Sequence, residues 1–225
     1  MTLELERLNA DVIQCNRCER LRTYCEHVAN VKRRAYRDQA YWGKPVPGWG
    51  DPQAALIIIG LAPGAHGSNR TGRMFTGDRA GDFLYSALYR KGLCNQPTSI
   101  SRKDGLTLQG VYITAVGRCA PPANKPLPNE LNQCRPYLMT ELKILESVKV
   151  ILVLGRIAYD GTLKAFEELG ETVRKGSDGF AQGAVRQVGS YTMVASYHVS
   201  QQNTQTGRLT APMFDAILQT CLGFF

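Results

Sequence analysis

The chain has 225 residues, 44% of them apolar, and 27 Lys and Arg against 19 Asp and Glu give a formal charge of +8. Its longest apolar stretches, near Ala54–Ala62 and Val148–Leu154, fall well short of the roughly 18 residues of a membrane span, so a globular protein with a buried core is expected and no membrane partner. The opening MTLELERLNADVIQC has no uninterrupted apolar run of the signal-peptide kind, which predicts a cytoplasmic location, and the basic excess of the first two thirds suits a polyanionic partner such as nucleic acid.

In chain order, the opening segment reads as an amphipathic helix, followed by a long connection over 27–53 that carries Lys32, Arg33 and Arg34 and then Pro45, Pro47 and Pro52. Ala55–Gly60 (ALIIIG) reads as a buried strand, Ala80–Lys91 as a helix and Val111–Val116 (VYITAV) as a second strand. Helix Asn129–Ser147, strand Val148–Leu154, helix Arg156–Leu169, strand Tyr191–Ser196 and a helix after Ala211 complete the pattern. The strand runs are continuously apolar, as strands covered on both faces by helices should be. No linker or repeat divides the chain. The expectation is an α/β protein, one three-layer α/β/α domain over residues 1–225 with a central four-stranded parallel sheet, the first helix and the 27–53 connection packed onto it.

Ligands of such sheets bind beyond the carboxyl ends of the strands, so the segments that follow each strand are the candidate site. GLAPGAHGSNRTGRMFTGDRAG (Gly60–Gly81) has neither the Gly-Lys-Ser/Thr ending of a phosphate-binding loop nor the G-x-G-x-x-G of a dinucleotide fold, which argues against a nucleotide-hydrolysing enzyme. It carries an exposed-looking aromatic, Phe75, three residues before a lone carboxylate, Asp78, with Arg70 and Arg73 nearby. An aromatic beside a carboxylate can stack on a flat base and hold a water, while Asp78 also suits the N-cap of the helix that follows. His198 ends the last strand, where an imidazole could stabilise charge on a leaving group. After it, SQQNTQTGRLT offers Gln201, Asn203 and Arg208 for phosphate and groove contacts. His66, Asn69 and Asn124 add polar groups at the same end of the sheet, with turn residue as the alternative reading.

Of seven cysteines, Cys15 and Cys18 form a C-x2-C pair, and Cys119 and Cys134 flank a Pro-rich loop. Four thiolates from two segments suit zinc or an iron–sulfur cluster, and spacing alone does not choose between them. Cys25 stands close enough in sequence to compete as a ligand, whereas Cys94 and Cys221 read as packing residues.

Together, GLAPGAHGSNRTGRMFTGD, VYITAVGRCAPPANKP and ASYHVSQQNTQTGRLT resemble the signature stretches of the uracil-DNA glycosylase superfamily, specifically family 5, the B-type enzymes. The resemblance runs from about Cys15 to the final helix. It implies a [4Fe–4S] cluster on Cys15, Cys18, Cys119 and Cys134, and a pocket for a base flipped out of DNA. Phe75 would stack on that base, backbone N–H groups around Gly60, Ala62 and Gly64 would help hold it, and Asn124 would lie by it. Asp78 would be the carboxylate near the sugar and His198 would assist the departing base, with Arg70, Arg73, Gln201, Asn203 and Arg208 holding DNA. The stretch Leu61, Ala62, Pro63 offers no acid or amide side chain, as family 5 implies. Where the related family 4 has an Asn that reads the uracil edge, this chain has Ala115, so a less selective pocket is expected, one that accepts hypoxanthine and other deaminated bases as well as uracil.

Lysines lie outside the motif cores apart from Lys125, which predicts a monofunctional DNA-repair hydrolase that leaves an abasic site, and a monomer is the natural expectation for an enzyme that scans DNA. The alternatives are a four-cysteine metal module that binds nucleic acid without catalysis, and a cluster-dependent redox enzyme, for which no nucleotide fingerprint is present.

Overall fold

The computed structural model describes residues 2–173 and 179–225. In chain order its elements are helices α1 (Leu3–Ile13) and α2 (Glu19–Val31), strands β1 (Trp49–Gly50) and β2 (Leu56–Gly60), the single turn α3 (Ser68–Thr71) and helix α4 (Arg79–Arg90). Strand β3 (Val111–Ala115), helix α5 (Pro128–Ile144), strand β4 (Val150–Leu154) and helix α6 (Arg156–Glu168) follow. Strands β5 (Val185–Val188) and β6 (Tyr191–Ser196), the short α7 (Gln201–Gln205) and helix α8 (Ala211–Leu222) end the chain.

Four strands run parallel in the order β3-β2-β4-β6, in register from Leu56 opposite Val111 and Val150 to Val150 opposite Thr192. Because side chains alternate along a strand, the continuous apolar runs split between two faces. Leu56, Ile58, Val111, Ile113, Val150 and Leu152 pack with Leu84 and Leu88 of α4 and Phe214 and Leu218 of α8. Ile57, Ile59, Tyr112, Ile151 and Val153 pack with Leu138 and Leu142 of α5, Tyr159 and Phe166 of α6 and Leu5 of α1. Each such side chain withdrawn from water contributes about 1.5–3 kcal/mol. Parallel strands also bring every carboxyl end, and so every candidate loop, to one edge.

The expected four-stranded sheet is extended at both edges. β1 pairs antiparallel with β3, and β5 with β6, making six strands. β1 is only two residues inside a Pro-rich stretch, and the sequence of β5, VRQV, is half polar because it is half exposed. The other correction is α2, which occupies part of the segment read as connection. Its buried Leu21, Cys25 and Val28 recur at helical spacing, but its remaining surface is charged and dilutes the signal. Among the described residues no helix is long and apolar enough to cross a membrane.

One buried ion pair fixes the carboxyl end of β3. Arg118 and Glu141 are 1% and 0% exposed, with Arg118 Nη2 donating to Glu141 Oε2 at 2.6 Å. The same carboxylate accepts from Thr114 Oγ1 at 2.8 Å and from the Tyr112 hydroxyl at 3.5 Å, so it ties α5 to the strand and to the residue preceding Cys119. Glu141→Ala would leave a guanidinium buried without its counter-charge, a class of change that costs about 3–5 kcal/mol. The expected outcome is a correspondingly lower urea midpoint for the variant, followed by circular dichroism.

Candidate active site

The glycine-rich loop after β2 folds back over the start of α4, and this places Asp78. Asp78 is the N-cap of α4: its Oδ1 accepts from Gly81 N at 3.0 Å. The other oxygen, Oδ2, lies against the loop, where a Cβ added to Gly64 would stand 2.9 Å from it and one added to Gly67 would overlap it. Only glycine lets the backbone come this close to the carboxylate. Burial raises the carboxyl's pKa above 3.8, as does Asp82, against the lowering effects of the Gly81 and Ala80 N–H groups and of Arg70. Capping and a site role thus use different oxygens of one side chain.

Phe75 takes a left-handed backbone conformation, φ +51°, which for a non-glycine residue costs of order 1–3 kcal/mol. Its ring reaches Gly60 at the end of β2, where a Cβ would stand 2.7 Å from Cζ, and its backbone lies against Gly81, where any side chain would overlap it. Contrary to its exposed look in the sequence, Phe75 is only 9% exposed. It faces His198, with ring centroids 6.2 Å apart and planes tilted by 32°. His198 follows β6, and Gly155 at the end of β4 makes room for it, a Cβ there standing 3.2 Å from that of His198. Enclosure of the imidazole lowers its pKa to about 4, although an edge of the residue stays accessible. Phe75 and His198 therefore stand as neighbouring, tilted rings beyond the strand ends, with Asp78 three residues along the Phe75 loop.

Other expected residues are placed differently. Arg70 and Arg73, expected at DNA, are 7% and 6% exposed and committed internally. Arg73 pairs with Asp104 at 2.7 Å and lies over Trp49, and despite burial that pairing and neighbouring N–H groups hold Asp104 down to about 2. Arg70 donates to His66 O, Gln39 Oε1 and Gly77 O at 2.7, 2.5 and 2.6 Å and stacks on Tyr36 at 3.9 Å. Asn203 is a loop brace, its Nδ2 donating to His198 O at 2.8 Å. Asn69 is fully buried, donating to Cys25 O and Ala65 O. Asn124 stands exposed on the loop after β3 with φ +56°, and Gln201 and Arg208 are exposed, Arg208 over the Tyr197 ring at 4.6 Å.

The sequence reading also missed the wall that the 27–53 connection builds against the glycine loop. The Tyr41 hydroxyl lies 3.1 Å from His66 Nδ1. Trp42 packs where Gly72, at φ +74°, has no side chain, and its ring lies under Arg102 at 4.4 Å and Lys44 at 5.8 Å. Aromatic residues among prolines and basic residues were the available signal.

Cys15, Cys18, Cys119 and Cys134 lie within electrostatic reach of one another. Bidentate hydrogen bonds from Arg20 to Glu130, both 2.7 Å, and one from Arg17 to Gln133 O at 3.3 Å join the C-x2-C segment to the start of α5. The thiols are near enough to act on one another: burial and then the neighbouring sulfurs push Cys18 up to about 11, and burial chiefly does the same for Cys134. Four such thiols ionise together only beside compensating positive charge. Two guanidiniums stand close by, Arg118 acting on Cys134 and Arg22 on Cys119, and each has a buried N–H group without a hydrogen-bond partner among the described residues. Among those residues, no three His, Cys, Asp or Glu side chains are drawn together as a single ion requires. Ligands of a multi-iron cluster each take a different iron and stand farther apart, so the donor set is compatible with such a cluster.

Residues 47–221 match the profile of the uracil DNA glycosylase superfamily. A type-5 uracil-DNA glycosylase of Thermus thermophilus is 50% identical over 205 residues, covering 91% of this chain and 90% of that protein. The type-5 enzyme of Mycobacterium bovis is 47% identical over 94% of this chain and 78% of its own length, and that of Pyrobaculum aerophilum is 41% identical over 92% and 88%.

With a pKa near 4, His198 is neutral at pH 7. Its folded value lies below the ordinary 6.5, so the unfolded chain binds this proton first, and its contribution to stability declines as pH falls from about 6.5 towards 4. Imidazole resonances of His198, followed by NMR, are expected to stay in the neutral form from pH 8 down to pH 5; a midpoint near 6.5 would refute the enclosure described here.

Proposed function

The chain belongs to the uracil DNA glycosylase superfamily, and we propose that it is a type-5 enzyme of that family, hydrolytically excising uracil and other deaminated bases such as hypoxanthine from DNA. One observation carries the reading: Phe75, His198 and a half-buried, glycine-flanked Asp78 are assembled at one edge of the sheet. A nucleic-acid-binding module without catalysis has no use for such an arrangement.

Excision asks for stabilisation at both ends of the N-glycosidic bond, because the base leaves with negative charge while the sugar becomes cationic. The strategy parallels that for O-glycosides. In this reading Phe75 stacks on the extruded base, and the neutral His198 donates a hydrogen bond to the base oxygen where charge develops. Backbone N–H groups around Gly60, Ala62 and Gly64 assist. Asp78, as carboxylate, positions or activates the attacking water and offsets the cationic sugar, and its raised pKa favours proton acceptance. Leu61, Ala62 and Pro63 supply no competing acid or amide, so the water falls to Asp78.

The exposed Arg33, Arg34, Arg37 and Lys44 of the connection and Arg208 after α7 are among the cations available for DNA phosphates. Asn124 would reach the base from its exposed loop. Cys15, Cys18, Cys119 and Cys134 would hold a [4Fe–4S] cluster, which when bound would pin α2 to the loop after β3, a structural part in a hydrolysis that transfers no electrons. The same reading makes the protein a monomer acting in the cytoplasm.

A labelled duplex carrying one U·G pair is expected to be cleaved at uracil only after alkali, which reports an abasic site without lyase action. Asp78→Asn should then lower the single-turnover rate by about 10²-fold or more, and the wild-type rate should fall on acidification with a midpoint above the ordinary 3.8. Absence of cleavage at uracil or hypoxanthine by iron-replete protein would overturn the reading. Elemental analysis should find about four irons per chain, lost in Cys15→Ser and Cys134→Ser; about one zinc instead would replace the cluster by a mononuclear site.

A further inference from the structure

We infer that Arg70 is a positioning residue for Asp78, the inner member of a clamp whose outer members, Tyr36 and Gln39, belong to the basic connection before β1. This deepens the excision reading and rests on it. Arg70 was expected at DNA, but its guanidinium is buried and every nitrogen is engaged. Nε donates to His66 O, within the Gly64–Gly67 loop that covers Asp78, and Nη2 donates to Gly77 O, on the residue immediately before Asp78. A single rigid group therefore ties the covering loop to the backbone that carries the carboxylate. Gly77, at φ +79°, leaves the guanidinium its place, since a Cβ there would overlap Nη2.

The third nitrogen looks outward. Nη1 donates to Gln39 Oε1 at 2.5 Å, and the flat face of the guanidinium lies on the Tyr36 ring at 3.9 Å. Tyr36 and Gln39 flank Arg37 and follow Lys32, Arg33 and Arg34, the cationic stretch offered to DNA. The backbone reinforces the same junction, with Trp42 N donating to Arg70 O at 2.8 Å and Gly43 N to Asn69 O at 3.0 Å. Planar, three-directional hydrogen bonding with a stacked face is what arginine provides and lysine does not.

The clamp also places a fixed positive charge near the carboxylate. The groups that act on Asp78 are Arg70 from α3, which favours its ionised form, Asp82 from α4, which opposes it, and the Gly81 and Ala80 N–H groups. Gly64 and Gly67 of the covering loop contribute no side-chain charge. Arg70 thus helps place the carboxylate and adds a lesser pull towards its ionised form, against the larger opposing effect of burial.

The test compares Arg70→Gln, Arg70→Lys and Gln39→Ala with wild type on the uracil duplex. Displacement of a reacting group by about an ångström costs up to about 10²-fold, so Arg70→Gln and Arg70→Lys should lose about 10- to 100-fold in single-turnover rate while the duplex Kd stays within about twofold. Gln39→Ala, which removes only the outer hydrogen bond and guards against failure of the others to fold, should lose less and in the same rate-selective way. Loss of Arg70's charge should also move the acid limb of the rate to higher pH in Arg70→Gln and not in Arg70→Lys. Unchanged rates in all three variants, or parallel losses of rate and affinity, would overturn the inference. The Asp78 carboxyl titration by NMR separates this failure from failure of the excision reading. It should rise in Arg70→Gln whether or not the wild type cleaves uracil, and an unchanged value would count against the clamp alone.

Discussion

The close approach of a glycine backbone to one carboxylate is the constraint on which the rest of this site depends. Asp78 is half-buried, and burial disfavours its ionised form; the loop that covers it comes so close that it can carry no side chain at Gly64 or Gly67. That requirement propagates. Gly81 must be bare because the backbone of Phe75 crosses it, Phe75 must take a positive φ to make the crossing, and Gly60 must be bare to receive the Phe75 ring. Helix α4 supplies the compensating N–H groups at its first turn, the same position that a merely structural N-cap would occupy.

A loop so poor in side chains cannot hold itself, and the structure supports it from outside. α2 carries one brace, since Asn69 Nδ2 reaches Cys25 O, while the Cys25 thiol donates to Ala120 O at 3.6 Å on the other candidate loop. The N-terminal segment thereby touches both loops of the site at one turn of helix, and the Arg20–Glu130 pair fastens that helix to α5. A metal cluster held by the four neighbouring cysteines would stiffen this junction and not the chemistry itself. The Arg118–Glu141 pair plays the corresponding part beneath β3, and its full burial makes it costly to break.

Much of this was legible from residue patterns. Four continuously apolar runs place the parallel strands, because strands covered on both sides need no polar face, and the chain order of the loops then places Asp78, Phe75 and His198 at one edge. What could not be read is where long polar side chains end. Arg70 and Arg73 look like phosphate ligands in GSNRTGRMF, yet a glycine-rich loop has few side chains of its own, and buried arginines fill that role through carbonyls and Asp104. Asn203 reads as a DNA contact but spends its amide on His198 O. The edge strands and α2 escaped notice because their half-exposed surfaces carry too little apolar signal. Glu141 and Arg118 are separated by 23 positions, and nothing in either local sequence announces the pairing.

The strand register bears on selectivity. Ala115 is the partner of Gly60 across the β2–β3 ladder, and Gly60 is the residue against which Phe75 lies. The floor beside the aromatic ring is therefore made of the two smallest side chains, with no donor or acceptor beyond the backbone. A pocket that hydrogen-bonds a base edge rejects a mismatched base strongly, because its own polar groups would be stranded, whereas an apolar one discriminates by only about 1–3 kcal/mol. With the floor silent, discrimination in the proposed excision would fall to the backbone N–H groups and His198, at a carbonyl oxygen common to uracil and hypoxanthine. On the proposed reading, selectivity would come mainly from the lower cost of extruding a mispaired nucleotide, and breadth of substrate would follow from the same small residues that admit the Phe75 ring.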